Sequence, residues 1–390
     1  MENILKVPYG TRDFLPLEAR EKRIIENKLA ELFLKWGYKE VVTPAVEYLD
    51  TLTIGGRFDE SRMYKFTADE NKTLALRHEM TIPIARLAAS RFKESALPLK
   101  LSYISSVYRG GETQKGRQCE FYQAGVELIG ENSAMADAET VALAVEGILA
   151  SGIKKFQISL GEVDFIKGLF EQYNISENIA VKLQNAMIKH NLVSYENIID
   201  GLDIAVEGKN ILKEIPYLKG KSELLQKAYG VALNPKSRRA LDRLFEMREP
   251  LKTYGAAEYI VFDLGLLRDM SYYTGMIFEA YTAGLGFPLC GGGRYDRLLS
   301  DFGRPLPATG FALGIERILL AKEREHSLSG DTSETVYVSY AEGKVKEAIL
   351  KAKEMRAEGK CAELALKAER EEDAKEYADI NGYKEYIYIL

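Results

Sequence analysis

The chain has 390 residues, 46% hydrophobic and 28% charged, with a formal charge of −5. This composition fits a soluble globular protein with room for one large and one small domain, and no apolar run approaches the ~18–20 residues of a membrane span. Three scattered cysteines and three histidines exclude a disulfide framework and offer no metal-ligand cluster, while the acidic balance argues against a polyanion as the main partner.

Taken in chain order, the first residues lack the basic-then-apolar pattern of a secretory signal, so a reducing, cytoplasmic setting is expected. Residues 18–36 carry Ile25, Leu29, Leu32, Phe33 and Trp36 at helical spacing with Gly37 after them, which predicts an amphipathic helix. Val41, Val42 and Thr43 before Pro44 read as a short strand. Residues 101–107 and 121–128 read as two strands joined by a polar, glycine-bearing loop, an antiparallel hairpin with a long loop of functional character. A helix over 138–151 and a strand over 156–160 follow. From about residue 168 to 249 the pattern becomes polar and helical, with Asn234-Pro235 as a helix entry, and reads as a helical insertion. A strand returns at 276–281, and a helix over 314–324 closes a large domain expected to span residues 1–326. Beyond a polar linker, residues 334–390 alternate β-α-β-α-β, a small α/β domain that stops at its third strand.

Seven motifs fall in one order along the chain. They are Gly10-Thr11-Arg12-Asp13-Phe14-Leu15-Pro16, Gly37-Tyr38-x-x-Val41-x-Thr43-Pro44, Leu76-Arg77-His78-Glu79-Met80-Thr81, the loop segment Tyr108 to Gln123, Leu267-Arg268-Asp269-Met270-Ser271-Tyr272-Tyr273-Thr274-Gly275, Cys290-Gly291-Gly292-Gly293-Arg294-Tyr295-Asp296 and Gly310-Phe311-Ala312-Leu313-Gly314-Ile315-Glu316-Arg317. Each is weak alone. Together they resemble the catalytic domain of class II histidyl-tRNA synthetases. The resemblance implies an α+β fold: a class II synthetase-like antiparallel sheet flanked by helices, carrying the helical insertion, with a small truncated α/β C-terminal domain similar to part of an anticodon-binding domain. It also implies a homodimer, because the segment around residues 37–44 resembles motif 1, which builds the two-fold interface of that class.

The segment Tyr108 to Gln123 resembles motif 2, which in that family usually reads Phe-Arg-x-Glu-Arg-Pro-Gln-x-Gly-Arg-x-Arg-x-Phe-x-Gln. Here Gly111 stands where a glutamate is expected, Glu112 where an arginine is expected and Cys119 where a second arginine is expected. These, with Arg317, are nucleotide-handling positions, so the resemblance implies a degraded nucleotide site. Adenylate formation builds negative charge on a phosphate, which a planar, bidentate and permanently charged guanidinium suits. Loss of one such donor typically costs about 3–4 kcal/mol in the transition state, and a carboxylate facing a triphosphate costs more.

The amino-acid pocket is intact by the same resemblance. Glu79 and Thr81 would hold a ligand ammonium. Gln123 and Glu127, four residues apart on one strand face, would take the amino-acid end and an imidazole N–H. Tyr272 and Tyr273 would wall the ring, Arg268 would pair with the carboxylate, and Arg109 completes the histidine-binding set. A zwitterion with an imidazole needs such acceptors, a cation and an amphipathic wall. Asp269 and Ser271 depart from the family pattern beside Arg268. His78 replaces a proline and reads as a packed or surface imidazole. The glycine run at 291–293 lacks nucleotide-loop spacing and reads as room for close backbone approach.

A nearer resemblance is to a paralogous family, the regulatory subunits of short-form ATP phosphoribosyltransferase. It rests on the degraded motif 2, on Met80 where the synthetases usually have glycine, and on the short tail. It implies a non-catalytic, histidine-binding chain with no cofactor and no metal, serving the first step of histidine biosynthesis by allowing activation and feedback inhibition. Its partners would be the short-form ATP phosphoribosyltransferase catalytic subunit, in a hetero-oligomer such as a hetero-octamer, and L-histidine, with no tRNA. The alternative is a divergent, truncated histidyl-tRNA synthetase, which would catalyse histidine-dependent ATP–pyrophosphate exchange.

Overall fold

The computed structural model describes residues 4–56, 58, 60–67, 72–110, 118–268, 272–328 and 335–390. It divides into two compact units, Met1–Leu328 and Ser329–Leu390. The strands of the first unit are β1 (Lys39–Glu40), β2 (Val46–Tyr48), β3 (Lys65–Thr67), β4 (Thr73–Leu76), β5 (Leu99–Tyr108), β6 (Glu120–Ile129), β7 (Gln157–Glu162), β8 (Lys219–Gly220), β9 (Ile260–Asp263), β10 (Met276–Tyr281), β11 (Cys290–Arg294) and β12 (Ala308–Gly314). Nine of them form one sheet in the order β1-β5-β6-β12-β11-β10-β7-β9-β8, and β2-β4-β3 form a small separate sheet. From β5 across to β7 every neighbour is antiparallel. The parallel pairs are β1 with β5 and β7 with β9, so the sheet is mixed at its margins.

The side-chain period of two sorts the residues of β6 between two cores. Ala124, Val126 and Leu128 face one core, shared with Ile25, Leu29 and Phe33 of helix α1 (Pro16–Lys35). Those three recur at four-residue spacing, which sets one apolar stripe against the sheet, and burying each contributes about 1.5–3 kcal/mol. Phe33 meets Phe311 of β12 edge-on at 6.0 Å. The odd positions Gln123, Gly125 and Glu127 point to the other face, where Leu101 and Tyr103 of β5 belong to a second core. Glu127 lies directly opposite Leu101.

Helices α2 (Leu49–Leu52) and α3 (Thr81–Arg91) belong to this second side, while α4 (Ala134–Ala150) is buried almost all round beneath the sheet. Seven helices separate β7 from β9: α5 (Val163–Gln172), α6 (Glu177–Ile188), α7 (Leu192–Asp200), α8 (Val206–Glu214), α9 (Glu223–Val231), α10 (Pro235–Glu246) and α11 (Arg248–Thr253). Asn234 caps α10 by accepting the Ser237 N–H at 2.8 Å, with Pro235 in the first turn. The insertion is tied to the sheet by charge. Asp137 in the first turn of α4 accepts Arg294 Nε of β11 at 2.9 Å and Arg243 Nε of α10 at 2.8 Å. Helices α12 (Leu298–Asp301) and α13 (Ile315–Arg324) follow β11 and β12.

The second unit alternates β13 (Thr335–Tyr340), α14 (Val345–Ala357), β14 (Cys361–Leu364), α15 (Glu371–Ile380) and β15 (Glu385–Ile389). Its parallel sheet has the order β14-β13-β15. The strand expected at 41–44 lies earlier, at Lys39–Glu40, because pairing with Leu101 and Ser102 of β5 sets its register. Val41 adds only its N–H to the Ser102 carbonyl, at 2.9 Å; β-branched composition alone misplaced it. Among the described residues no helix is long and apolar enough to cross a membrane, and no group of three His, Cys, Asp or Glu could hold a metal.

Candidate ligand-binding site

Glu127 is the centre of the site. Its side chain is 1% exposed, yet one carboxylate oxygen accepts the Thr81 hydroxyl at 2.9 Å and the other accepts the Tyr295 phenol. Thr81 opens α3, and Tyr295 follows β11, positioned by its own N–H to the Ala308 carbonyl at 2.8 Å. Gly310, opposite Glu127 in β12, supplies the space: a Cβ there would stand 2.0 Å from Glu127 Oε2. Burial pushes the Glu127 carboxyl up to about 8, opposed by the Tyr295 and Thr81 hydrogen bonds and reinforced by the nearby Glu79 charge. At neutral pH the group is therefore largely protonated.

Glu79, also buried, accepts the backbone N–H groups of Thr81 at 2.9 Å and Ile82 at 2.6 Å. It satisfies two of the orphan donors that begin α3, and burial raises its carboxyl despite those bonds. The Arg109 charge also opposes that rise. Two buried carboxyls, of which Glu79 is close enough to raise Glu127, favour a cationic group between them.

Tyr272 and Tyr273 form the wall. Their rings lie 4.8 Å apart, and Tyr272 meets Tyr295 edge-on at 5.8 Å. Arg268 sits 5.5 Å over the Tyr273 ring, donates to the Phe278 carbonyl at 3.1 Å and pairs with Glu279 at 3.5 Å. Burial would lower its guanidinium, but Tyr273 and Glu279 outweigh that and hold it above its ordinary value. Gly291 explains part of the glycine run, since a Cβ there would be 1.7 Å from the Arg268 guanidinium nitrogen. Gln123 shares the β6 face with Glu127 and stands opposite Ser105 and Gly314, half-buried.

The nucleotide-handling positions look different. Cys119 is buried, donates its N–H to the Gly10 carbonyl at 2.6 Å and hydrogen-bonds Tyr64 through its thiol, which pushes the Tyr64 phenol up to about 12. Gly10, with φ of +77°, crosses so closely that a Cβ would lie 2.4 Å from the Cys119 sulfur. Arg109, of the expected histidine-binding set, donates Nε to the His78 carbonyl at 2.9 Å and covers the Phe121 ring at 5.3 Å. Arg317 donates to the Pro288 carbonyl at 2.6 Å and lies over Phe287. Gly111, Glu112, Arg117, Asp269 and Ser271 lie outside the described residues.

Thr81, Glu127, Tyr272, Tyr273, Glu79 and Arg268 thus converge, with Arg109 at the edge and Gln123 further along the same strand face. Tyr295 and Gly310 carry the site as much as any of these but were given no role by the sequence reading. Both sit in motifs, yet a tyrosine after a glycine run shows its partner only once β11 and β12 are in register. His78 is a packed imidazole, 1% exposed and stacked on Phe58 at 3.6 Å. Among the described residues its Nδ1 has no hydrogen-bond partner.

A family model of histidyl-tRNA synthetases matches residues 10–318. A histidyl-tRNA synthetase from Nostoc sp. PCC 7120 shares the fold at a TM-score of 0.86 and 20% identity, covering 99% of this chain and 92% of that one. Similarity is stronger to an ATP phosphoribosyltransferase regulatory subunit/histidyl-tRNA synthetase from Bacillus halodurans, with a TM-score of 0.89, 35% identity and 99% of each chain covered. The ATP phosphoribosyltransferase regulatory subunit of Desulforamulus reducens is 39% identical over 97% of this chain and 94% of its own. That of Thermoanaerobacter pseudethanolicus is 38% identical over 98% and 99%. The chain belongs to the family of ATP phosphoribosyltransferase regulatory subunits, which is built on the histidyl-tRNA synthetase fold.

Proposed function

We propose that this chain is a non-catalytic regulatory subunit that binds L-histidine in the pocket around Glu127. It would transmit occupancy to a short-form ATP phosphoribosyltransferase catalytic chain. The partner type follows from the family; the ligand rests on the site. The observation that supports it most is the contrast between Thr81–Glu127–Tyr295, a complete buried acceptor, and Cys119, a neutral residue covered by Gly10 where a phosphate-binding arginine is expected. Glu127 would take an imidazole N–H, the Tyr272–Tyr273 wall the ring, Arg268 the carboxylate, and Glu79 with Thr81 the ammonium. A carboxylate can accept more than two hydrogen bonds, and a guanidinium has five donors, so the contacts present leave capacity for a ligand.

Regulation then needs histidine to bind two quaternary states unequally, and a coupling of about 1–3 kcal/mol suffices. The assembly would pair this chain as a homodimer through the region of β1 and join catalytic subunits in a hetero-oligomer; tRNA would not take part. Calorimetric titration with histidine together with an ATP–pyrophosphate exchange assay tests the reading. Saturable binding without exchange is expected, and Glu127→Gln should weaken binding roughly tenfold to a hundredfold, the worth of a charge-assisted hydrogen bond. Brisk exchange would instead support the divergent synthetase.

A further inference from the structure

The acid at the centre of the pocket does not orient itself. From the way β11 and β12 present their side chains, we infer that Tyr295 is a positioning residue: its phenol holds the Glu127 carboxyl in both of its protonation states, so that histidine binding is linked to proton release. This rests on the proposal that the pocket takes histidine.

Three observations carry it. Tyr295 is 2% exposed, and its hydroxyl reaches Glu127 Oε2, the oxygen for which Gly310 leaves room. Its backbone is fixed from both sides of the strand end. The Tyr295 N–H bonds Ala308, while the preceding Arg294, on the opposite face, is locked to Asp137 at 2.7 Å and Asp296 at 2.9 Å. Tyr272 packs against the Tyr295 ring edge-on, so the phenol cannot swing away without disturbing the wall. The hydroxyl therefore has one place to be.

The chemistry follows from what hydroxyls can do. An ionised carboxylate only accepts, whereas a protonated one also donates; a phenol and a threonine hydroxyl can each do either by rotating the O–H bond. Thr81 and Tyr295 together can satisfy Glu127 with or without its proton, which a lysine or a backbone N–H could not. When the imidazolium form of the ligand arrives and its N–H donates to the carboxyl, the carboxyl O–H bond breaks, that proton leaves to solvent, and both hydroxyls turn to donate to the anion. Removing the phenol takes a donor from the ionised form, which loses more than the protonated form does.

The test is calorimetric titration of the full chain with L-histidine from pH 6 to 9.5, comparing wild type with Tyr295→Phe. At pH 7 the variant should bind roughly tenfold to a hundredfold more weakly. The gap should close as pH rises past the point where Glu127 is ionised in both proteins, so the midpoint of the variant's profile moves up by about one pH unit or more. If Tyr295→Phe does not fold, Thr81→Val removes the donor to the other oxygen and should move the profile the same way. A variant that binds as tightly as wild type, or one weakened by the same factor at every pH, would overturn the positioning role while leaving the histidine site standing. Wild-type protein indifferent to histidine would overturn both.

Discussion

At the scale of single residues, ionisable groups are buried here at a cost that pH makes visible. His78 is held neutral, its imidazole lowered from 6.5 to about 3 by burial and by the Arg109 and Arg62 charges. A group whose folded value is depressed contributes stability above its unfolded value and loses it as pH falls. His78 should therefore destabilise the fold as pH drops from about 6.5 towards 3, by ~1.4 kcal/mol per pH unit. His78→Phe keeps an aromatic ring against Phe58 and removes the titration. Urea denaturation at several pH values should show the variant losing less stability than wild type below pH 6.5, and parallel curves would refute this. Glu127 works in the opposite sense. Raised from 4.5 to about 8, it contributes most below pH 4.5 and loses that contribution as pH climbs to 8. The site trades stability near neutrality for a carboxyl ready to meet a cation.

At the scale of elements, two substitutions separate scaffold from pocket. Gly310→Ala would drive a methyl to 2.0 Å from Glu127 Oε2 and 2.4 Å from the Val126 carbonyl. The backbone of β6 cannot yield to it, so a loss of about 1–3 kcal/mol from overpacking is expected together with impaired histidine binding. Unchanged affinity would show that Glu127 has more freedom than its contacts suggest. Asp137→Ala removes the shared acid between β11 and the insertion helix α10, leaving the 3% exposed Arg294 with Asp296 and the Glu131 carbonyl. About 3–5 kcal/mol should be lost in chemical denaturation; a loss within 0.5 kcal/mol, the range of an ordinary surface change, would contradict that role.

Much of the element layout was legible before the structure. The β5–β6 hairpin announces itself by alternation, α1 by four-residue spacing, and α10 by Asn234-Pro235, where an amide cap and a preset φ act locally. The strand at Lys39–Glu40 did not, because two polar residues become a strand only through the backbone of β5, some sixty residues later. The site divides along the same line. Thr81 could be named from its motif and Glu127 from its place four residues beyond Gln123, but the Tyr295 hydroxyl arrives from a position 168 residues away. The closure of Cys119 by Gly10 joins the N-terminal segment to the residue before β6. Contacts set by long-range register leave no local pattern to read.

At the scale of the molecule, the histidyl-tRNA synthetase fold persists. Around Glu127 a buried carboxyl is braced by the Thr81 and Tyr295 hydroxyls. On the phosphate side, the described residues show a neutral thiol under the N-terminal segment and Arg317 engaged with the Pro288 carbonyl. Under the proposed function such a chain senses an amino acid without activating it, and its effect appears in another polypeptide. The direct measurement is phosphoribosyl transfer by a short-form ATP phosphoribosyltransferase catalytic chain, assayed with and without this protein across a histidine titration. The expected result is activity that depends on adding this chain and falls as histidine rises, with the histidine response blunted by Glu127→Gln. Catalysis indifferent to this chain, or stimulated by it yet unmoved by millimolar histidine, would contradict the assignment.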